Sequence, residues 1–210
     1  MSIEVIKLAL GPLGTNGFVL RAQGECWVAD PGMEPEPMLE FLAQQELSVS
    51  RILLTHGHCD HIAGIEPVKQ KHPQAIVTCP AADAPMLQDS YLNMSCPFGF
   101  DITAPEADEL VNPGDILHLG DCEVRVLDTS GHTPGGVSYY FPSEQFVLVG
   151  DALFAGSVGR CDIPGANYRQ QLANIRERLY VLPEETTIYA GHGPQTTIGT
   201  EKETNPYTRD

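Results

Sequence analysis

The sequence is poor in positive charge. Twelve Lys and Arg residues face 28 Asp and Glu, leaving a formal net charge of −16. A protein that binds DNA or RNA needs a basic footprint, so nucleic-acid partners are excluded. An anionic substrate would have to find a local cation, which bound metal ions can supply. Long apolar runs are also missing: none approaches the roughly 20 residues that a membrane-spanning helix needs, and no membrane partner is expected. The opening MSIEVIK alternates apolar and polar residues and lacks a basic stretch followed by an apolar one, as a signal peptide would have. A cytoplasmic location is expected. Cysteine pairs are absent too: Cys26, Cys59, Cys79, Cys96, Cys122 and Cys161 include no C-x-x-C and form no compact framework. That excludes a disulfide scaffold and fits reduced thiols. Five of them read as small buried hydrophobes, and Cys59 stands apart only because of its neighbours.

What is present is an ordinary globular composition, 42% hydrophobic and 19% charged over 210 residues. Residues 3–30 alternate as strands do, with Asn16-Gly17 as turn chemistry between two runs. Residues 36–45 and 62–71 read as helices, 51–54 and 75–78 as short strands. Residues 80–113 are interrupted by five prolines and contain Phe98 and Phe100. A long segment of this kind suits a lid or wall beside a functional cleft. Strands follow at 123–127, 136–141 and 145–149. The longest amphipathic helix is read over 168–182, with Leu172, Ile175, Leu179 and Leu182 on one stripe. A strand at 187–190 precedes a short final helix. With no linker-like stretch between halves, one α/β domain over residues 1–210 is expected.

Five of the seven histidines fall in three short motifs: Thr55-His56-Gly57-His58-Cys59-Asp60-His61, Gly131-His132 and Gly191-His192. Gly150-Asp151 adds a carboxylate. Each motif follows an apolar strand, and in α/β architectures functional groups gather in the crevice beyond strand ends. The adjacent glycines let backbone segments approach closely. Neutral imidazole suits zinc, iron or manganese, and carboxylates balance the ion's charge. Five histidines and two aspartates overfill one tetrahedral ion. Two ions roughly 3.5–4 Å apart, with Asp151 between them, account for all seven. His72 and His118 match no motif and read as structural or solvated.

H-x-H-x-D-H followed in order by Gly-His, Gly-Asp and Gly-His resembles the metallo-β-lactamase superfamily. Gly131-His-Thr-Pro-Gly-Gly136, Gly150-Asp-Ala-Leu-Phe154, Gly156-Ser-Val-Gly-Arg-Cys-Asp162 and Gly191-His-Gly-Pro, with Glu201 and Asn205-Pro-Tyr, narrow the resemblance to short glyoxalase II-like proteins (hydroxyacylglutathione hydrolases). The resemblance implies an αββα sandwich of two mixed sheets flanked by helices. It implies one metal on His56, His58 and His132 and another on Asp60, His61 and His192, bridged by Asp151 and a hydroxide. Zinc is the expected metal, with iron or manganese as alternatives, and Asp60 and Asp151 are the expected catalytic carboxylates. The implied reaction is attack of the bridging hydroxide on a small anionic thioester such as S-D-lactoylglutathione.

With so few residues after Gly191-His192, the C-terminal helical domain of the longer members is not expected. Where those carry a lysine for the glutathione carboxylate, Arg160 is the substrate-binding candidate, with a surface ion pair to Asp162 as its alternative role. Three rivals share the superfamily. A persulfide dioxygenase would hold one iron on His56, His132 and Asp151. A lactonase would keep the same ligands. A β-lactamase is disfavoured, because Asp151 stands where those enzymes lack a bridging aspartate.

Overall fold

The computed structural model describes residues 2–209. The chain opens with three antiparallel strands, β1 (Glu4–Leu10), β2 (Thr15–Ala22) and β3 (Glu25–Ala29). Helix α1 (Glu36–Gln44) leads to β4 (Arg51–Leu53), α2 (Cys59–Ile62), α3 (Ile65–Lys71), β5 (Ile76–Pro80) and β6 (Glu109–Val111). These strands form one six-stranded sheet in sequence order, antiparallel from β1 to β3 and parallel from β3 to β6. The second half supplies β7 (Ile116–Leu119), β8 (Cys122–Asp128), β9 (Val137–Phe141), β10 (Phe146–Gly150), a small hairpin of β11 (Leu153–Phe154) and β12 (Ser157–Val158), α4 (Tyr168–Asn174), β13 (Thr187–Ala190), β14 (Thr196–Thr197) and α5 (Ile198–Thr204). Its six-stranded sheet runs β14-β13-β10-β9-β8-β7, antiparallel except where β10 meets β13.

The period of two along each strand sorts side chains between three apolar layers. Phe18, Leu20, Trp27 and Ala29 face inward to meet Val124, Val126, Tyr139 and Leu148 of the other sheet. Their neighbours Val19 and Val28 face outward onto Met38 and Leu42 of α1 and Ile62, Ile65 and Val68 of α2 and α3. On the far side Tyr140, Val147 and Val149 pack under Ile175, Leu179 and Ile198. The result is the αββα sandwich of two mixed sheets flanked by helices.

Three local expectations change. Asn16-Gly17 is not the first turn but lies within β2, and the chain reverses at residues 11–14. Asn16 is buried and its amide is spent elsewhere, donating to Ala190 O and Gly193 O at 2.9 Å each. The helix read over 62–71 is two pieces, because the Gly64 N–H leaves the helix and donates to Pro31 O at 2.7 Å. The helix read over 168–182 is α-helical to Asn174 and then widens to a π turn over Ile175–Leu179, where Tyr180 N donates to Ile175 O.

Candidate metal centre

Four strand ends deliver the seven residues to one place. His56 and His58 follow β4, Asp60 and His61 lie in α2, His132 follows β8, Asp151 follows β10 and His192 follows β13. Their ligand atoms fall into three groups, each within 4.8 Å: His56, His58 and His132; His56, His61 and Asp151; Asp60, His61 and His192. Asp151 stands between the histidine triads, with Oδ2 3.5 Å from both His132 Nε2 and His192 Nε2 and Oδ1 3.4 Å from His61 Nε2. His192 Nε2 is 3.2 Å from Asp60 Oδ2. Close approach needs Gly191, where a Cβ would stand 2.7 Å from His61 Cε1 and nearer still to Asp151 Oδ1.

Three of the five rings, and Asp60, are oriented from behind. Asp30, buried under the cluster, accepts from Thr55 N (2.8 Å) and Thr55 Oγ1 (2.7 Å) and lies 3.1 Å from His61 Nδ1. Thr55 Oγ1 is 3.0 Å from His56 Nδ1. The Arg160 carbonyl is 2.8 Å from His132 Nδ1, and Thr15 Oγ1 donates to Asp60 Oδ2 at 2.9 Å. Such partners fix which ring nitrogen faces an ion. Asp83, fully buried, accepts from Gly57 N (3.1 Å), Thr133 Oγ1 (2.7 Å) and Gly135 N (2.6 Å), tying the H-x-H loop to the His132 loop. Asn16 ties β2 to the His192 loop, its N–H donating to Gly191 O at 2.7 Å.

Burial, reinforced by neighbouring imidazoles, pushes His56 well below the usual histidine range and His58 down to about 3. Both rings are therefore neutral, the form that binds metal. Burial would also neutralise Asp60, but the His61 charge and the His192 and Thr15 hydrogen bonds hold its carboxyl well below the ordinary value. Asp151 is held low in the same way, against burial, by His61, His132 and His192. His56 Nε2 and Asp151 Oδ1 are buried and make no hydrogen bond. Unpaired buried polar atoms are costly, and these two face the centre of the cluster. Imidazole and carboxylate around such a centre fit divalent metal ions. Cys59 is buried beside the cluster but belongs to none of the candidate ligand groups among the described residues.

A cavity of about 540 Å³ opens onto His58, Asp60, His132, Asp151 and His192. Met94 and Phe98 of the 80–113 segment line it, so that segment forms one of its walls. Arg160 also lines it, with Nε and Nη2 donating to Asp162 Oδ1 and Oδ2 at 2.7 and 2.9 Å. The sequence reading missed Thr15, Asn16, Asp30, Thr55 and Asp83. Thr55 adjoins the H-x-H motif and Asp30 directly follows a strand, and these are the signals that could have found them.

A sandwich with its polar cluster at the strand ends and imidazoles and carboxylates in overlapping triads defines a metallo-hydrolase. The chain belongs to the metallo-beta-lactamase superfamily, whose sequence profile matches residues 10–192. It is 36% identical to the probable metallo-hydrolase YqgX of Bacillus subtilis, covering 96% of this chain and 95% of that one. It is 35% identical to the hydroxyacylglutathione hydrolase GloC of Haemophilus influenzae, over 99% of this chain and 98% of the other. Among solved structures, BLEG-1, a B3 metallo-beta-lactamase, superposes with a TM-score of 0.94 at 36% identity, covering 99% of this chain and all of that one. TTHA1623 in a di-iron-bound form gives 0.88 at 36% identity, covering 97% and 100%. Among the described residues no helix is long and apolar enough to cross a membrane.

Proposed function

We propose that the protein hydrolyses small anionic thioesters of the S-D-lactoylglutathione type with two divalent metal ions, zinc foremost and iron or manganese as alternatives. The observation that carries this reading is the arrangement of Asp151 between two three-residue sets at the floor of an open cavity. His56, His58 and His132 would hold one ion, Asp60, His61 and His192 the other, and Asp151 both. Likeness to GloC over nearly the full length supports the thioester. Bound there, the ions supply a water made acidic enough to ionise near neutral pH and a Lewis acid for an acyl oxygen.

The chain's own residues set the rest. Asp30, Thr55 and the Arg160 carbonyl keep the rings from turning. Thr15 donates to Asp60 Oδ2, the oxygen that lies 3.2 Å from His192 Nε2, and so fixes the carboxylate against that ring. Burial and the nearby Asp60 raise the Cys59 thiol to about 11, so Cys59 stays protonated and does not serve as a nucleophile. A departing thiol with an ordinary pKa of roughly 8.5 leaves as thiolate with little need of a general acid. Arg160, among the described residues the one Lys or Arg lining the cavity, would meet the substrate's carboxylate.

Metal-quantified protein is assayed with S-D-lactoylglutathione, with glutathione persulfide under oxygen-uptake monitoring, and with a chromogenic cephalosporin. Two ions per chain and thioester cleavage are expected. Asp151→Asn should lower the occupancy of both ions, because it removes the shared charge. One tightly held iron with persulfide-dependent oxygen uptake would replace this reading with a dioxygenase. The likeness to BLEG-1 favours β-lactam hydrolysis as a second reading, and cephalosporin turnover exceeding thioester turnover would establish it.

A further inference from the structure

The metal cluster is the polar floor of its cavity, and the walls are of a different kind. Leu13, Met94, Phe98, Phe154, Val158 and Ile163 line them. They come from four separate stretches: the β1–β2 turn, the 80–113 segment, the β11–β12 hairpin and the loop after it. Leu13 is 58% exposed and Phe98 60% exposed, so large apolar side chains stand in water at the mouth of a polar site. Single exposed apolar residues need no explanation, but a set that converges on one cavity marks a binding surface.

The wall is held, not loose. Asn93 is fully buried and donates to Met86 O (3.1 Å) and Ile102 O (2.8 Å), while its carbonyl accepts from Cys59 N (2.9 Å) inside the metal loop. Met94 beside it adopts φ +68°, a left-handed conformation that side chains other than glycine's rarely take. Strain of this kind persists where surrounding structure imposes it, and here it sets Met94 at the cavity wall. The charge around the cavity points the same way. Among the described residues Arg160 is the only Lys or Arg lining it, and its Nε and Nη2 are already held by Asp162, in a chain of net charge −16.

We infer that the thioester taken by this site carries an uncharged apolar arm, an aliphatic or aromatic group of several carbons, which lies along Leu13, Met94 and Phe98 while the carbonyl meets the metal floor. This rests on the thioester-hydrolase reading and narrows its substrate class. S-D-lactoylglutathione, polar at both ends, leaves this wall unmatched and is a slower substrate than a thioester with such an arm.

The test uses the metal-loaded protein and two substrate series: acetyl to octanoyl groups on one small thiol, and acetyl on thiols of rising alkyl length. Matching S-alkyl thioethers, which cannot be cleaved, serve as competitive inhibitors. In at least one series kcat/KM should rise about threefold to fourfold per methylene until the wall is filled, and the inhibition constant of the thioethers should fall in step. In the series that shows the rise, Phe98→Ser should reduce the ratio of kcat/KM between its six-carbon and two-carbon members by fivefold or more and flatten the thioether series, a binding readout independent of turnover. Thioesters cleaved with no dependence on length in either series, and thioethers binding alike, would overturn the inference and leave the hydrolase reading standing. Cleavage of no thioester at any length would overturn both.

Discussion

Asp83→Asn changes a single atom in the buried carboxylate that joins the two loops bearing His56, His58 and His132. All three of its partners are donors, two backbone N–H groups and the Thr133 hydroxyl. Burial pushes the Asp83 carboxyl up, and those donors work against that shift. An asparagine has one acceptor oxygen, so its NH₂ must face either Gly135 N–H or the pair formed by Thr133 and Gly57. At least one donor is then left unsatisfied and one charge-assisted bond is lost, at about 1–3 kcal/mol for each effect. The expected loss is roughly 3–5 kcal/mol, which for a chain of this size lowers Tm by about 6–20 °C. The loss should not fall evenly on the cluster. Asp83 supports only the three-imidazole set, whereas Asp60, His61 and His192 are backed by Thr15, Asp30 and Asn16. Chelator titration followed by elemental analysis should therefore remove one ion from the variant well before the other, while the parent protein holds both more evenly. A Tm within 1 °C of the parent, with both ions released together, would refute the clamp.

Asp162→Asn should free Arg160 and lower KM for an anionic thioester a fewfold, while Arg160→Ala should raise it with kcat nearly unchanged; steady-state kinetics showing no opposition between the two would make the pair a surface feature only. The Val77 N–H, then Lys69, holds the Asp108 carboxyl below its ordinary value. Its contribution to stability is therefore present above the unfolded pKa near 3.9 and fades as pH falls through the folded value. Thermal melts should show Asp108→Asn slightly less stable than the parent at pH 7, with the gap narrowing as pH falls below the unfolded value, and a gap that does not narrow on acidification would contradict the assignment.

The ligand residues were legible because they are dense and local. Four of the seven lie within residues 56–61, and each of the other three directly follows a glycine at the end of an apolar run. The αββα layering was expected from the family resemblance those motifs carry, and the structure gives its physical basis in the alternation along β2 and β3, which separates Phe18, Leu20 and Trp27 from Val19 and Val28. The supporting residues were not. Asp83 falls in a proline-broken stretch with no period, and its partners lie 26 to 52 positions away. Asn16 precedes a glycine and so reads as a turn, while its real partners come from the other end of the chain. The cavity wall was only half visible: Phe98 stood out among the prolines, whereas Leu13, Val158 and Ile163 look like any other apolar residue until the fold gathers them.

The hydrogen bond from Asn16 to Gly191 also orders events in time. A chain leaving the ribosome presents its N-terminal residues first. His56, His58 and His132 have all emerged before Asp151 exists, and Asp60 and His61 wait for His192, which follows a strand made later still. An ion captured early therefore meets imidazole first, without the carboxylate that will later stand between the two sets. The loop holding His192 cannot close on β2 until residue 193 is made, and with that closure the second set and the cavity floor are completed together.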